Sequence, residues 1–163
     1  MSLRAKRSNL ENNPLKADLD HILTHTLDLW EELRDQRIFI TGGTGFFGCW
    51  LLESFAWAND NLNLNASALV LSRSPEAFEN KASHMYHHPA IQFLKGNIHD
   101  FDYPEGQFSH LIHGAVYQQP ADEKPHNLSL LNEMLDGTRR VLDFCVQAKV
   151  RKALLISSGA VYG

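Results

Sequence analysis

Thr41-Gly42-Gly43-Thr44-Gly45-Phe46-Phe47-Gly48 follows the apolar run Arg37-Ile38-Phe39-Ile40 and leads directly into Cys49-Trp50-Leu51-Leu52-Glu53. The order is a strand, a glycine turn and the start of a helix. Glycines at 42, 45 and 48 answer three separate needs: a tight turn, close approach of the backbone to a phosphate group, and close packing of the helix on the strand. The first turn of a helix offers N–H groups that lack intrahelical acceptors, together with a partial positive charge, so the stretch suits a pyrophosphate. A bare glycine pattern is weak evidence, because most such turns bind nothing. Here the strand before and the helix after supply the context that the pattern needs.

Working outward, the chain alternates strands with helices. Phe47, Leu51, Phe55 and Ala58 read as one face of the helix after the turn, and residues 60–65 as a polar connector. Ala68-Leu69-Val70-Leu71 is continuously apolar, as expected of a strand buried on both faces of a parallel sheet. Ser74-Pro75-Glu76 has the chemistry of a helix start. Further strands are expected at 91–95, 110–113 and 153–157. Between the last two, residues 127–148 place Leu131, Met134, Leu135, Thr138, Val141, Leu142 and Cys145 at helical spacing. Such alternation implies parallel pairing by right-handed crossovers, with helices on both faces. The expected fold is a doubly wound parallel α/β sheet, a Rossmann domain over 37–163, truncated after its fifth strand. Ahead of it, 15–36 reads as an amphipathic helix with Leu19, Ile22, Leu23, Trp30 and Leu33 on one stripe, and 1–14 as a mobile tail. That helix is expected to pack on the domain's own surface; a dimerisation role, and with it a homodimer, stays open.

At 163 residues the chain accommodates one domain with a real core. A formal charge of −4 and the lack of a basic stripe argue against nucleic acid as a partner. No apolar run reaches the roughly 20 residues that span a bilayer, so the reading is a cytoplasmic protein with no membrane partner. Cys49 and Cys145 have no ligand spacing and read as small core residues. His84, His87 and His88 lack a fixed set of further ligands, so no metal site is expected there.

Ligands of such sheets bind at the carboxyl ends of the strands. At the end of the second strand stands Ser72-Arg73, where an acid would bind the ribose 2′-hydroxyl of NAD. A hydroxyl and a guanidinium suit a 2′-phosphate instead, which favours NADP slightly over NAD. His113 ends the fourth strand and is either a ligand-side group or a satisfied half-buried histidine. Ser157 and Ser158 follow the fifth strand, where a hydroxyl can polarise a substrate oxygen during hydride transfer.

Taken together, the glycine stretch 41–48, Gly96-Asn97-Ile98, Ile112-His113-Gly114-Ala115, Gly137-Thr138 and Ile156-Ser157-Ser158-Gly159-Ala160-Val161-Tyr162-Gly163 resemble the extended short-chain dehydrogenase/reductases. More narrowly, they resemble the nucleotide-sugar NAD-dependent epimerase/dehydratase group. The resemblance implies a cofactor site built from Gly42, Thr44, Gly45, Phe46, Phe47 and Gly48 at the pyrophosphate. It also implies Asn97 and Ile98 at the adenine, Gly114, Ala115 and Val116 along the cofactor channel, and Ser158 as the catalytic hydroxyl. Tyr162 is not the family's catalytic tyrosine. Departures are Asn97 where the family has Asp, Met134 where it has Asn, and Gly159-Ala160 where the dehydratases carry acids. The Tyr-x-x-x-Lys pair of the family is expected beyond Gly163. The resemblance thus implies the cofactor-binding half of an enzyme acting on a nucleotide sugar, with a non-catalytic dinucleotide-sensing module and a scaffold built on the N-terminal helix as alternatives.

Overall fold

The computed structural model describes residues 13–115 and 127–162. Helix α1 (Lys16–Trp30) runs into a 3-10 turn (Glu31–Leu33), then β1 (Arg37–Thr41), α2 (Phe46–Leu62), β2 (Ser67–Ser72), α3 (Pro75–Lys81), the short α4 (Ser83–Tyr86), β3 (Ile91–Lys95) and β4 (His110–His113). Helix α5 (Asn127–Gln147), β5 (Lys152–Leu155) and a 3-10 turn (Gly159–Tyr162) complete the described chain. All four strand pairings are parallel, in the order β3-β2-β1-β4-β5. This is the doubly wound sheet expected from the alternation, with the fifth strand two residues shorter at its carboxyl end than expected.

Strand alternation divides the core in two. Ile38, Ile40, Ala68 and Val70 face α2 through Leu52, Phe55, Ala56 and Ala58, with Phe78 and Met85 closing that layer from α3 and α4. Phe39, Leu69, Leu71 and Leu111 face the other way onto Phe101, Phe108, Val141 and Phe144. The Phe39 ring lies 4.7 Å from Phe144, and Phe101 and Phe108 lean on both, which makes an aromatic block under α5.

Two helix faces differ from the sequence reading. In helix α2 Phe55 and Ala58 of the expected face are buried together with Gly48, Leu52, Ala56 and Trp57, while Phe47 is exposed, because the bare Cα of Gly48 seats the helix on the turn and thereby sets its rotation. Helix α5 buries Gly137, Val141 and Phe144, and Ala148 just beyond its end is buried as well. Of the stripe expected from spacing, Val141 is buried and Cys145 packs on the second core layer, whereas Leu131, Met134, Leu135 and Leu142 are exposed. Both faces are apolar, and the aromatic block selects the one bearing Phe144.

Helix α1 lies on α2. Leu19 is fully buried, Leu23, Trp30 and Leu33 pack on the first core layer, and the Trp57 indole N–H donates to Asp20 at 3.0 Å. Its backbone departs from helical geometry at Thr26, whose hydroxyl donates to the Ile22 carbonyl and accepts the Trp30 indole N–H. That competing bond is a known way for threonine to bend a helix. Among the described residues no helix is long and apolar enough to cross a membrane.

Candidate functional site

The strand order reverses between β1 and β4, and ligands of such sheets bind in the crevice outside that point. Thr41 and His113 are register partners at the carboxyl ends of these two strands. Immediately beyond, Gly42 takes φ +75, and a Cβ there would stand 2.3 Å from the Gly114 carbonyl carbon and 2.5 Å from the Ala115 nitrogen. The two loops therefore touch through bare backbone. The Gly114 N–H donates to the Thr41 carbonyl at 3.0 Å, and the Ala115 N–H to the Thr41 hydroxyl at 3.3 Å.

Gly48 closes the turn from the other side, since a Cβ there would meet the Gly42 carbonyl oxygen at 2.2 Å. Gly45 differs from both. Its N–H donates to the Gly42 carbonyl, its φ of −78 is open to any residue, and an added Cβ would meet only the Gly42 oxygen, at 3.3 Å. Among the described residues nothing else lies within 4 Å of that Cβ. Gly45 is also the N-cap of α2 and brings no side chain to cap it, so the first-turn amides are left for an anion. Phe46 and Phe47 are 73% and 70% exposed and flank this opening, with ring centres 5.4 Å apart.

Beneath the crevice runs a directed chain of hydrogen bonds. The Thr41 hydroxyl accepts from Ala115 and sits 2.7 Å from His113 Nδ1, while His113 Nε2 lies 3.4 Å from the Thr138 hydroxyl, which itself donates to the Met134 carbonyl at 2.8 Å. With the Thr138 proton so engaged, His113 Nε2–H is the donor to Thr138, and His113 Nδ1 accepts from Thr41. Burial pushes the His113 pKa below its ordinary value, which keeps the ring neutral as this arrangement requires. Of the two readings of His113, the satisfied buried histidine is the one observed. It ties β1 and β4 to α5 at the site's floor.

At the rim a depression is lined by Thr44, Ser72, Arg73, Ser74, Ala77, Phe78 and Lys81. Ser72 is buried and its hydroxyl accepts the Ser74 N–H at 3.3 Å. Arg73 makes no hydrogen bond or ion pair within the described residues, whereas Lys81 Nζ reaches the Thr44 carbonyl at 3.3 Å and the Cys49 sulfur at 3.6 Å. The lining has two cations, three hydroxyls and no carboxylate. Glu76, the acid in the first turn of α3, pairs with Lys95 at 3.1 Å. Lys81 escaped the sequence reading. Its signal was the helical spacing Ser74, Ala77, Phe78, Lys81, which carries the face that starts beside Ser72 one turn further.

Asn97 is exposed, and its side-chain oxygen accepts the His99 N–H at 3.4 Å. Ile98 is half-buried against the second core layer, and a Cβ on Gly137 would meet it at 3.0 Å. Ser157 and Ser158 are exposed beyond the end of β5, on a segment that the Ile156 N–H ties to the His113 carbonyl at 2.9 Å. Val116 lies outside the described residues. The histidines of the 84–88 segment each take a separate carboxylate: His84 with Glu53, His87 with Glu79, His88 with Asp60. Among the described residues no group of three or more ligand-type side chains could hold a metal ion.

Residues 38–163 match the profile of the NAD dependent epimerase/dehydratase family. A dTDP-D-glucose 4,6-dehydratase of Dictyostelium discoideum is 27% identical over 143 residues, an alignment that takes in 82% of this chain and 31% of the relative. A UDP-glucose 4-epimerase of the same organism is 25% identical over 133 residues, covering 79% of this chain and 38% of the relative. The chain thus spans about a third of the length of the curated relatives it matches. Among solved structures, the UDP-Glc/GlcNAc 4-epimerase from Campylobacter jejuni superposes with a TM-score of 0.59 at 23% identity, over 78% of this chain and 39% of that one. At that identity the superposition speaks to the fold.

Proposed function

Because the chain belongs to the NAD dependent epimerase/dehydratase family, we propose that it is the cofactor-binding half of an enzyme that oxidises and reduces a nucleotide-linked sugar at a ring carbon. The single observation that carries this reading is the opening at Gly45. It joins an uncapped helix start to a turn in which Gly42 and Gly48 are walled in by backbone within 2.5 Å. What surrounds it supports this reading: an N-cap without a capping side chain, one described atom within 4 Å of an added Cβ, and a depression beside Ser72 whose lining has no carboxylate. When bound, the nicotinamide supplies a hydride acceptor and donor.

The residues divide the remaining work. Gly42, Thr44, Gly45, Phe46, Phe47 and Gly48 form the pyrophosphate cradle through backbone. Ser72 and Arg73 take the adenosine ribose, and the guanidinium there favours NADP over NAD. Asn97 and Ile98 flank the adenine, and Gly114, Ala115 and Val116 line the path to the reacting end. Ser157 contributes on the cofactor side, and the Ser158 hydroxyl orients the substrate oxygen. Gly159 and Ala160 bring no acid to this end, so epimerisation or ketone reduction is favoured over loss of water. No Tyr-x-x-x-Lys occurs among the 163 residues, and this chain by itself is expected to hold the dinucleotide without turnover.

The test uses the full-length protein. Native mass spectrometry should find a nicotinamide dinucleotide retained, and a panel of UDP- and dTDP-hexoses should include one that is turned over. Ser158→Ala should lower kcat by about 10²-fold or more while leaving the retained dinucleotide unchanged. Retention of no dinucleotide, or full activity in Ser158→Ala, would refute the assignment.

A further inference from the structure

Helix α1 lies ahead of the residues that match the family profile, and it carries two side chains that the dinucleotide site does not use. His21 and His25 stand four residues apart, which puts them on successive turns of one side of the helix. Both are exposed, and their ring centres are 4.3 Å apart. His25 Nδ1 lies 2.8 Å from the His21 carbonyl oxygen. A carbonyl only accepts, so Nδ1 carries the proton and the lone pair of the neutral ring sits on Nε2. A backbone carbonyl taking the far N–H is the support that metal-bound histidines ordinarily have, because it fixes both the tautomer and the orientation of the ring. We infer that His21 and His25 form a two-imidazole clip for a divalent transition-metal ion of the zinc, nickel and copper class.

The other described histidines are all engaged. His113 is buried in the floor of the crevice, and His84, His87, His88, His99 and His110 each face a carboxylate. Among the described residues the rings of His21 and His25 touch each other and make no ion pair, and their one hydrogen bond is to the His21 carbonyl. The charge of the helix favours a cation: α1 carries Lys16 against Asp18, Asp20 and Asp28, and Lys16 is already paired with Asp20. Imidazole nitrogen suits zinc, nickel and copper, whereas magnesium and calcium take oxygen ligands. The described residues offer no third protein ligand, so water completes the coordination. The bound ion ties the turn from His21 to His25, just ahead of the place where Thr26 leaves helical geometry. It thereby braces the part of α1 that is seated on α2 through Leu19 and through the Asp20 bond to the Trp57 indole.

Titration calorimetry and melting curves on the full-length protein, purified without a histidine tag, decide this with zinc, nickel and magnesium chlorides. The samples are the parent, His21→Ala, His25→Ala and, as a control, His84→Ala. The parent should bind zinc and nickel saturably, and its melting point should rise with the concentration of either metal. His21→Ala and His25→Ala should each lose about tenfold or more in affinity for both metals and most of that rise, while melting as the parent does in a chelator. Magnesium should have no such effect, and binding should weaken in acid, where protons compete with the metal for the imidazoles. His84→Ala should bind as the parent does. Parent-like metal binding in either His21→Ala or His25→Ala would overturn the inference. A loss that follows His84 instead, or a parent that saturates only in the millimolar range as isolated surface histidines do, would overturn it equally. None of these outcomes bears on the dinucleotide site.

Discussion

Exchanging Gly45 and Gly48 for alanine, one at a time, separates a glycine kept for a ligand from a glycine kept for the fold. At Gly48 the new methyl would stand 2.2 Å from the Gly42 oxygen and 2.5 Å from Gly43 backbone. Backbone cannot swing aside as a side chain does, so α2 would have to lift by about 1 Å to regain ordinary contact. Overpacking of this kind costs about 1–3 kcal/mol, which for a chain of this size lowers the melting midpoint by roughly 2–12 °C. At Gly45 the methyl meets one atom at 3.3 Å, in a backbone conformation that alanine adopts freely. The cost is a shift of a few tenths of an ångström at the Gly42 oxygen together with the poorer N-cap, under about 1 kcal/mol for the cap, or a few degrees. Yet that methyl fills the gap proposed for the pyrophosphate, so dinucleotide affinity should fall at least about tenfold, or 1.4 kcal/mol. Scanning calorimetry and titration calorimetry on the same samples read both quantities. Parent-like binding by Gly45→Ala, or a melting point as low as that of Gly48→Ala, would refute the division of roles.

The other expectations concern the core, the floor and the rim. Phe144→Ala removes the ring that Phe39, Phe101 and Phe108 lean on and should cost about 3–5 kcal/mol in denaturant unfolding; a loss below about 1 kcal/mol would mean that the aromatic block is loosely packed. Burial holds the pKa of folded His113 below its ordinary value of 6.5, so the unfolded chain binds that proton more readily. The corresponding stability is present above pH 6.5 and drains as pH falls toward the folded pKa. His113→Asn should flatten that acid limb of the melting curve, and an unchanged limb would show that the ring is not the titrating group. Arg73→Ala should weaken NADP about tenfold and NAD little; an NAD preference in the parent contradicts it.

The sheet was legible because its strands advertise themselves: continuous apolar runs at β1 and β2, a glycine turn between β1 and α2, and turn residues after β3. Which way each helix faces was harder to read. Phe47 looked like core because it shares spacing with Leu51 and Phe55, and only the contact of Gly48 with the turn reveals the true rotation. In α5 two neighbouring apolar faces compete, and spacing alone cannot say that Phe144 meets the aromatic block while Leu135 does not. The site shows the same division. Its backbone portion, Gly42 to Gly48, is local in sequence and was readable, whereas the Thr41, His113 and Thr138 chain joins residues up to 72 positions apart. Lys81 shares that difficulty, since its proximity to Thr44 depends on how α3 lies beside the turn.

The central claim is that this crevice holds a nicotinamide dinucleotide by its phosphates at the start of α2. Backbone amide NMR of the isotope-labelled 163-residue chain, titrated with NADP and with NAD, tests it most directly. The account predicts saturable shifts centred on the amides of Thr44 to Cys49, with smaller ones at Ser72 to Ser74 and at Gly114 and Ala115. An unperturbed spectrum from a folded chain, or shifts confined to α1 and the amino ends of β4 and β5, would contradict it.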